Sequence, residues 1–242
     1  MEKILYILLI VIHFTVGTIF WIIDRKGSLD KIQKNVTVSD DEYSAIFRRS
    51  TFNFLTIVLP LVFLSLSVPR YRGLVPTGPI TFISSLILLI TLADFISYWI
   101  HRAMHIPFMF NNFHYHHHEL VSPVAYGTLD AHPVEVVLWD FLPIMAPIHI
   151  LGASDSLTIT FSCISFFSSI LAHSGYLTFL NDAMHDLHHE RRKCNYGSFF
   201  SDSLFGTYIE REKGREYPRF DQETKNLEGS RNIWLKSQDA DN

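Results

Sequence analysis

Asp94-Phe-Ile-Ser-Tyr98-Trp99-Ile-His101-Arg102-Ala-Met-His105 closes an apolar run, and soon afterwards the chain reads His114-Tyr-His116-His117-His118. Further on stand His132-Pro133-Val-Glu135, His173-Ser-Gly-Tyr176 and His185-Asp-Leu-His188-His189. His101 and His105 are four residues apart, so on a helix they share a face. His114, His117 and His118 stand at i, i+3 and i+4, as do His185, His188 and His189, and each triplet is expected to aim its imidazoles at one point. These boxes hold eight histidines, a surplus over the four ligands of a tetrahedral zinc site, and the surplus points to two metal ions side by side. Imidazole suits zinc, copper, iron and nickel, so ligand type alone does not choose the metal.

Rival motifs fail on their spacing. A zinc protease carries His-Glu-x-x-His; Glu119 follows His118, but Ser122 stands where the second histidine belongs. The soluble di-iron carboxylate pattern, Glu-x-x-His on two helices, does not occur in the sequence. A metal-buffering loop would be one compact His-rich tract, whereas these clusters are far apart and helically spaced.

The three boxes, His-x3-His and twice His-x2-His-His, resemble the fatty acid hydroxylase and sterol desaturase superfamily, membrane enzymes of the endoplasmic reticulum with a non-haem di-iron centre. The resemblance runs from about Asp94 to Tyr208 and includes Tyr98-Trp99, Asn195-Tyr196-Gly197, Asp202 and Leu204-Phe205-Gly206-Thr207. Within the superfamily, Ala131-His132-Pro133-Val-Glu135 and His173-Ser-Gly-Tyr176 look most like the C-4 methylsterol oxidase branch, with cholesterol 25-hydroxylase next. The interval from His173 to His185 is shorter than in animal sterol oxidases. The resemblance implies two iron ions, with zinc able to replace them in purified material. It implies ligation by His101, His105, His114, His117, His118, His185, His188 and His189, with His173 as a ninth ligand. His173 follows an apolar helix, where an unpaired polar ring is costly. His132 is counted with them, its other reading being a turn held by a backbone hydrogen bond. His116, His13 and His149 are expected to be spared.

Asp94 is the one charge in its apolar segment, and an acid within a membrane span is functional by default. It is expected to accept a proton from a ligand imidazole and fix its tautomer, the other reading being a helix-packing bond. Glu135, Asn195 and Asp202 are placed with it as support behind the ligands.

Outward from the boxes, the 242 residues suggest one domain, and the net charge of -4 argues against nucleic acid as a partner. Cys163 and Cys194 do not suggest a disulfide framework. Ile4 to Ile23 is long enough for a bilayer crossing and reads as a retained anchor, since Trp21-Ile-Ile-Asp24-Arg25 does not resemble a signal cleavage site. Asp24 to Ser50 is a polar connector in which Ser39-Asp40-Asp41-Glu42 marks a helix start. Thr51 to Val68 is a second span that Pro60 could kink, and Ile80 to Ile100 is a third. Val136 to Leu151, broken up by Pro143 and Pro147, and Ser156 to Ala172 are each a little short for a full crossing and read as a helical hairpin, with full crossing left open. Arg191-Arg192-Lys193 suits a cytosolic membrane surface or an acidic redox partner, or is simply solvated. The high aromatic content, with twenty Phe, suits a lipid tunnel or, for any single ring, ordinary packing.

The expected fold is all-α and integral to the membrane: three or four transmembrane helices plus a helical hairpin, capped by a cytosolic histidine-rich helical domain. Residues 1–80 form the anchor spans and connector, 81–210 the catalytic domain and 211–242 a charged tail. The expected activity is O2-dependent insertion of oxygen into a C–H bond of a lipid, a sterol first and a fatty acid or sphingolipid second, with no catalytic group beyond the metal centre. His132-Pro133 lacks the Gly-Gly of a cytochrome b5 haem loop, and no Gly-x-Gly-x-x-Gly occurs. Electrons are therefore expected from separate cytochrome b5 and an NAD(P)H-dependent reductase. Arg25, Lys26, Lys31, Lys34, Arg48 and Arg49 place the connector and boxes in the cytosol, which leaves the Asn35-Val-Thr37 sequon unglycosylated. A membrane metal transporter would instead string its histidines along mid-membrane helices, and an inactive structural relative would have lost ligands.

Overall fold

The apolar N-terminal stretch forms one helix, α1 (Glu2–Lys26), which ends where Arg25 and Lys26 set positive charge against its free carbonyls. The computed structural model describes residues 2–33, 37–69, 71–178 and 183–211; the Asn35 sequon and the tail beyond Arg211 lie outside them. Helix α2 (Asp40–Ser67) starts as its sequence dictates: the Ser39 hydroxyl accepts the Glu42 N–H at 3.3 Å, and Asp40, Asp41 and Glu42 fill the first turn. Asp40 also pairs with Arg25, tying the end of α1 to the start of α2.

Arg49 and Asn53, on the first half of α2, hold the turn Ala125–Leu129. Arg49 donates to both Asp130 oxygens at 2.7 and 2.8 Å, and the Asn53 amide donates to the Leu129 and Ala131 carbonyls. Past Asn53 the helix widens into a π turn (Phe54–Val58) just before Pro60. Proline supplies no N–H to the preceding turn and crowds its carbonyl, and a wide turn relieves both.

Helix α3 (Pro79–Met104) begins on a proline at its first position, where no N–H is missed. Helices α4 (Pro133–Leu151) and α5 (Asp155–Ala172) follow. Pro143 and Pro147 do not break α4 as expected: the chain absorbs Pro143 through a second π turn, Val136–Phe141, and runs on through Pro147. The hairpin is correspondingly longer than expected, and all five helices are long and apolar enough to cross a membrane. Ile80, Ile83, Ile87 and Ile90 leave an apolar outer face along α3, which suits lipid rather than water. Inside, Leu5 and Leu9 of α1 pack with Phe54 and Val62 of α2, Leu89 of α3, Ile148 of α4 and Phe161 of α5.

The two ends of the bundle differ. At one end, Gly152 closes α4 in the left-handed region at φ 61°, and an added Cβ there would collide with the Tyr71 carbonyl. Its own carbonyl accepts the Gly73 and Leu74 N–H groups at 3.1 Å, joining the α4–α5 turn to the α2–α3 loop. At the other end lie the α1–α2 connector, the segment from His105 to His132, and two short helices, α6 (Met184–Arg191) and α7 (Phe199–Leu204). The connector reaches this layer directly: the Ile32 N–H donates to the Gly175 carbonyl, and the Gln33 amide donates to the Val121 carbonyl and to Asp186 Oδ1, both at 2.8 Å. Connector and histidine boxes thus share one side of the bundle.

Candidate metal centre

Nine histidines meet in this layer. The last turn of α3 delivers His101, and His105 caps that helix. After Pro107–Met109, a π turn (Phe110–His114) and a 3-10 turn (His117–Glu119) present the second box, and α6 presents the third. His173 caps α5.

They sort into two groups: His101, His105, His114, His118 and His188 in one, and His117, His173, His185 and His189 in the other. The expectation that each triplet converges on one point is therefore corrected, because each triplet straddles both groups. The cause is helical geometry: at 3.6 residues per turn, i+4 lies about 40° to one side of residue i and i+3 about 60° to the other. On α6, His185 and His189 accordingly go together and His188 turns the other way.

The backbone sets the tautomers. Nδ1–H donates to a carbonyl in His101 (Tyr196, 2.6 Å), His188 (Cys194, 2.6 Å), His173 (Ser169, 2.8 Å) and His189 (Leu120, 2.8 Å). A carbonyl only accepts, so the proton sits on Nδ1 and Nε2 is left as a bare lone pair. Each of those four atoms faces the Nε2 of another histidine of its group, and such Nε2 pairs stand 3.1–3.2 Å apart in the first group and 2.9–3.2 Å in the second. With every Nε2 unprotonated, one cation in the middle of each group would take up these lone pairs. With a metal–nitrogen bond of about 2.1 Å, ligands at right angles stand about 3.0 Å apart and tetrahedral ones about 3.4 Å. Each group thus has the donors to surround one cation, and imidazole alone does not choose the metal.

Burial first, and then the neighbouring imidazoles, hold His105, His117, His118, His185 and His189 below the usual histidine range, and burial does the same for His114; His173 and His188 stand at about 4. All are neutral at physiological pH, as ligation requires.

Behind the ligands the expected supports differ in role. Glu135 Oε1 lies 2.8 Å from His114 Nδ1, both side chains fully buried, though off the line of a regular hydrogen bond. Asp94 does not touch an imidazole, contrary to expectation. Its Oδ1 accepts the Ser198 N–H at 2.6 Å, and its Oδ2 accepts the Ser201 N–H at 3.1 Å and the Ser201 hydroxyl at 2.5 Å. Asp94 thus docks the start of α7, as the helix-packing reading anticipates. Hydrogen bonds to a charged group, about 1.5–3 kcal/mol each, offset the roughly 3 kcal/mol cost of an acid in a span.

Asp202 accepts the Tyr196 and Gly197 N–H groups at 2.9 and 2.7 Å and so shapes the loop whose carbonyl orients His101. Asn195 staples that loop to Met184 and Ile209. The Thr207 hydroxyl bridges Asp202 Oδ1 and the Tyr98 hydroxyl, and Phe205 stacks on Tyr98 at 4.8 Å. Gly197 is required here because an added Cβ would stand 2.9 Å from Asp94 Oδ1.

The other histidines lie apart. His132, expected among the ligands, joins neither group: it precedes α4, and its Nδ1 accepts the Val134 N–H at 3.2 Å, the turn-holding role. His116 binds Glu119 and Asp130 instead. His13 stacks on Phe54 at 4.5 Å, and His149 meets Ser65 at 2.7 Å. Sequence reasoning missed Trp139, whose ring lies 4.0 Å from that of His101, and Asp140 beside it on α4. Trp139 follows Glu135 by four residues, the spacing that put His105 beside His101, and that signal was available.

A family model described as fatty acid hydroxylase matches residues 86–207. The chain is 29% identical over 217 residues to very-long-chain aldehyde decarbonylase GL1-8 of Oryza sativa subsp. indica, covering 81% of this chain and 80% of that protein. It is 29% identical over 218 residues to methylsterol monooxygenase 2-2 of Arabidopsis thaliana, covering 81% of each. Against fatty acid hydroxylase ahd1 of Mycosarcoma maydis the identity is 35% over 113 residues, or 46% of this chain and 30% of that one. No solved structure matches the chain significantly.

Proposed function

Because this chain belongs to the fatty acid hydroxylase family, we propose that it is a membrane di-iron oxygenase that inserts one oxygen atom of O2 into a C–H bond of a lipid. The observation that carries this reading is the pair of histidine groups, with ring nitrogens converging at one end of helices able to cross a membrane. His101, His105, His114, His118 and His188 would hold one iron and His117, His173, His185 and His189 the other. The irons would supply O2 reduction, which with two electrons and two protons delivers one oxygen atom to the lipid and one to water. The chain's own part is to keep the imidazoles neutral and oriented, by burial and by the carbonyls of Tyr196, Cys194, Ser169 and Leu120. It also keeps bulk water from the reacting bond, since most of the ligands are fully buried.

A sterol is the first substrate class, and the relative named methylsterol monooxygenase supports it. In the motifs that suggested a sterol, His173 and Glu135 belong to the centre and the rest is scaffold: His132 caps α4, Ser174 donates to the Leu171 carbonyl and the Tyr176 hydroxyl donates to Asp24. A fatty acyl or aldehyde substrate is the second reading, favoured by the relative named aldehyde decarbonylase. Electrons come from cytochrome b5 and its NAD(P)H-dependent reductase. The protein resides in the endoplasmic reticulum with the histidines facing the cytosol.

The test is lipid profiling of cells expressing the wild type or His188→Ala, with iron and zinc measured on the purified proteins. The expected outcome is an oxidised lipid and bound iron that both depend on His188. Unchanged lipids and zinc alone in a wild type supplied with both electron partners would reject the reading.

A further inference from the structure

The two histidine groups share a wall that none of the boxes contains. Trp139, on the π turn of α4, donates its indole N–H to the Ser97 hydroxyl of α3 at 2.9 Å. Its ring lies 4.0 Å from His101 at an interplanar angle of 30°, and 5.8 Å from His114 in the same group. It also lies 5.6 Å from His117 and 5.9 Å from His185 of the other group. Among the described residues it is the only non-histidine ring in contact with both groups. Trp139 and Ser97 both lie on membrane-spanning helices, and Ser97 is one turn deeper in α3 than His101.

We propose that Trp139 is the substrate-positioning residue of this centre, its indole forming the membrane-side wall on which the reacting part of the lipid rests. On another side Phe110 and Tyr196 pack on the half-buried His105, and the Arg192 guanidinium lies over Phe110. A lipid that reaches the centre along α3 and α4 meets Trp139 beside histidines of both groups. An unactivated C–H bond offers nothing to hydrogen-bond, so its placement relies on shape and dispersion against a rigid surface. The tether to Ser97 fixes the ring, and the half-buried indole keeps part of its surface open while His101, His114 and His117 behind it are buried. The indole, tilted against the His101 imidazole at 4.0 Å, also pins that ring.

The identity of the ligand as a lipid rests on the oxygenase reading, so the test separates the two. Full-length wild type, Trp139→Phe, Trp139→Ala, Ser97→Ala and Trp99→Phe are reconstituted in nanodiscs. The probes are a dibrominated sterol and a dibrominated C18 fatty acid, whose bromines quench indole fluorescence on contact. The Trp139 component, taken as wild type minus Trp139→Phe, is expected to be quenched saturably. The Trp99 component, from an indole on the outer face, is expected to fall only in proportion to probe in the bilayer. The probe that saturates identifies the lipid class.

In turnover, Trp139→Ala is expected to keep its metal and raise KM by about tenfold, the scale of one lost aromatic contact, with a changed site of oxidation. Trp139→Phe is expected to restore much of the loss. If Trp139→Ala loses metal, Ser97→Ala carries the same comparison. Non-saturable quenching at Trp139, or unchanged KM and product position in the variants, would overturn the proposal. Saturable quenching with no oxygenated product from the wild type would instead overturn the oxygenase reading and leave the wall standing.

Discussion

His117 and His118 are neighbours in the chain and serve different groups, as do His188 and His189. Each adjacent pair thereby ties the two groups together, and a single substitution acts unequally on them. His188→Ala is expected to empty the five-histidine group and leave the other filled, lowering metal from two ions per chain to about one and abolishing product, because a site depends on its full ligand set. His189→Ala should empty the other group instead. His116→Gln should keep full metal, since that ring binds Glu119 and Asp130. Metal per protein in the three variants checks this, and equal loss in all would overturn the sorting. Glu135→Gln keeps the size of the side chain but replaces the carboxyl 2.8 Å from His114 Nδ1, and a 10–100-fold loss of metal affinity is the usual scale for such a partner.

Among elements, α3 does the most to build the centre. Asp94, Tyr98 and His101 lie along one face of it: Asp94 docks α7, Tyr98 receives Phe205, and His101 receives the Tyr196 carbonyl. One helix face therefore holds both a histidine of the candidate centre and the loop that orients it. Asp94→Asn preserves the shape but removes the charge from three hydrogen bonds. A loss of about 1.5–3 kcal/mol is expected, read as a lower melting temperature in detergent and faster proteolysis between residues 195 and 207. Gly197→Ala should act in the same direction by displacing the Asp94 carboxylate. Stability unchanged in both would mean that the loop is held from elsewhere. The π turns of α2 and α4 follow a similar logic, each letting a helix continue past a proline.

On the scale of the whole molecule, the two ends are chemically unlike. The histidine layer carries Arg25, Arg48, Arg49, Arg191, Arg192 and Lys193, whereas the far end is the tight junction of residues 71–74 with the α4–α5 turn. The charge bias is what the proposed cytosolic orientation of the histidine layer rests on. In sealed microsomes, Lys193→Cys should react with a membrane-impermeant maleimide, while Thr77→Cys should react only after detergent is added. The reverse pattern would invert the orientation. Labelling of both in intact vesicles would mean that the helices do not all cross.

What the sequence determined by itself is what the backbone controls over a few residues. The apolar runs, the Ser39 cap and the four-residue spacing of His101 and His105 depend only on helical rise and rotation, and all are legible in the chain. The superfamily was legible for the same reason, since its boxes are local patterns. Tertiary structure decided which nitrogen meets which. Asp94 reaches Ser198 and Ser201 across more than a hundred residues, and His173 meets His117 across 56. His132 holds a turn because α4 begins there, and Trp139 faces both groups because a π turn sets its angle. Contacts of this kind depend on where whole helices cross, and no local periodicity encodes that.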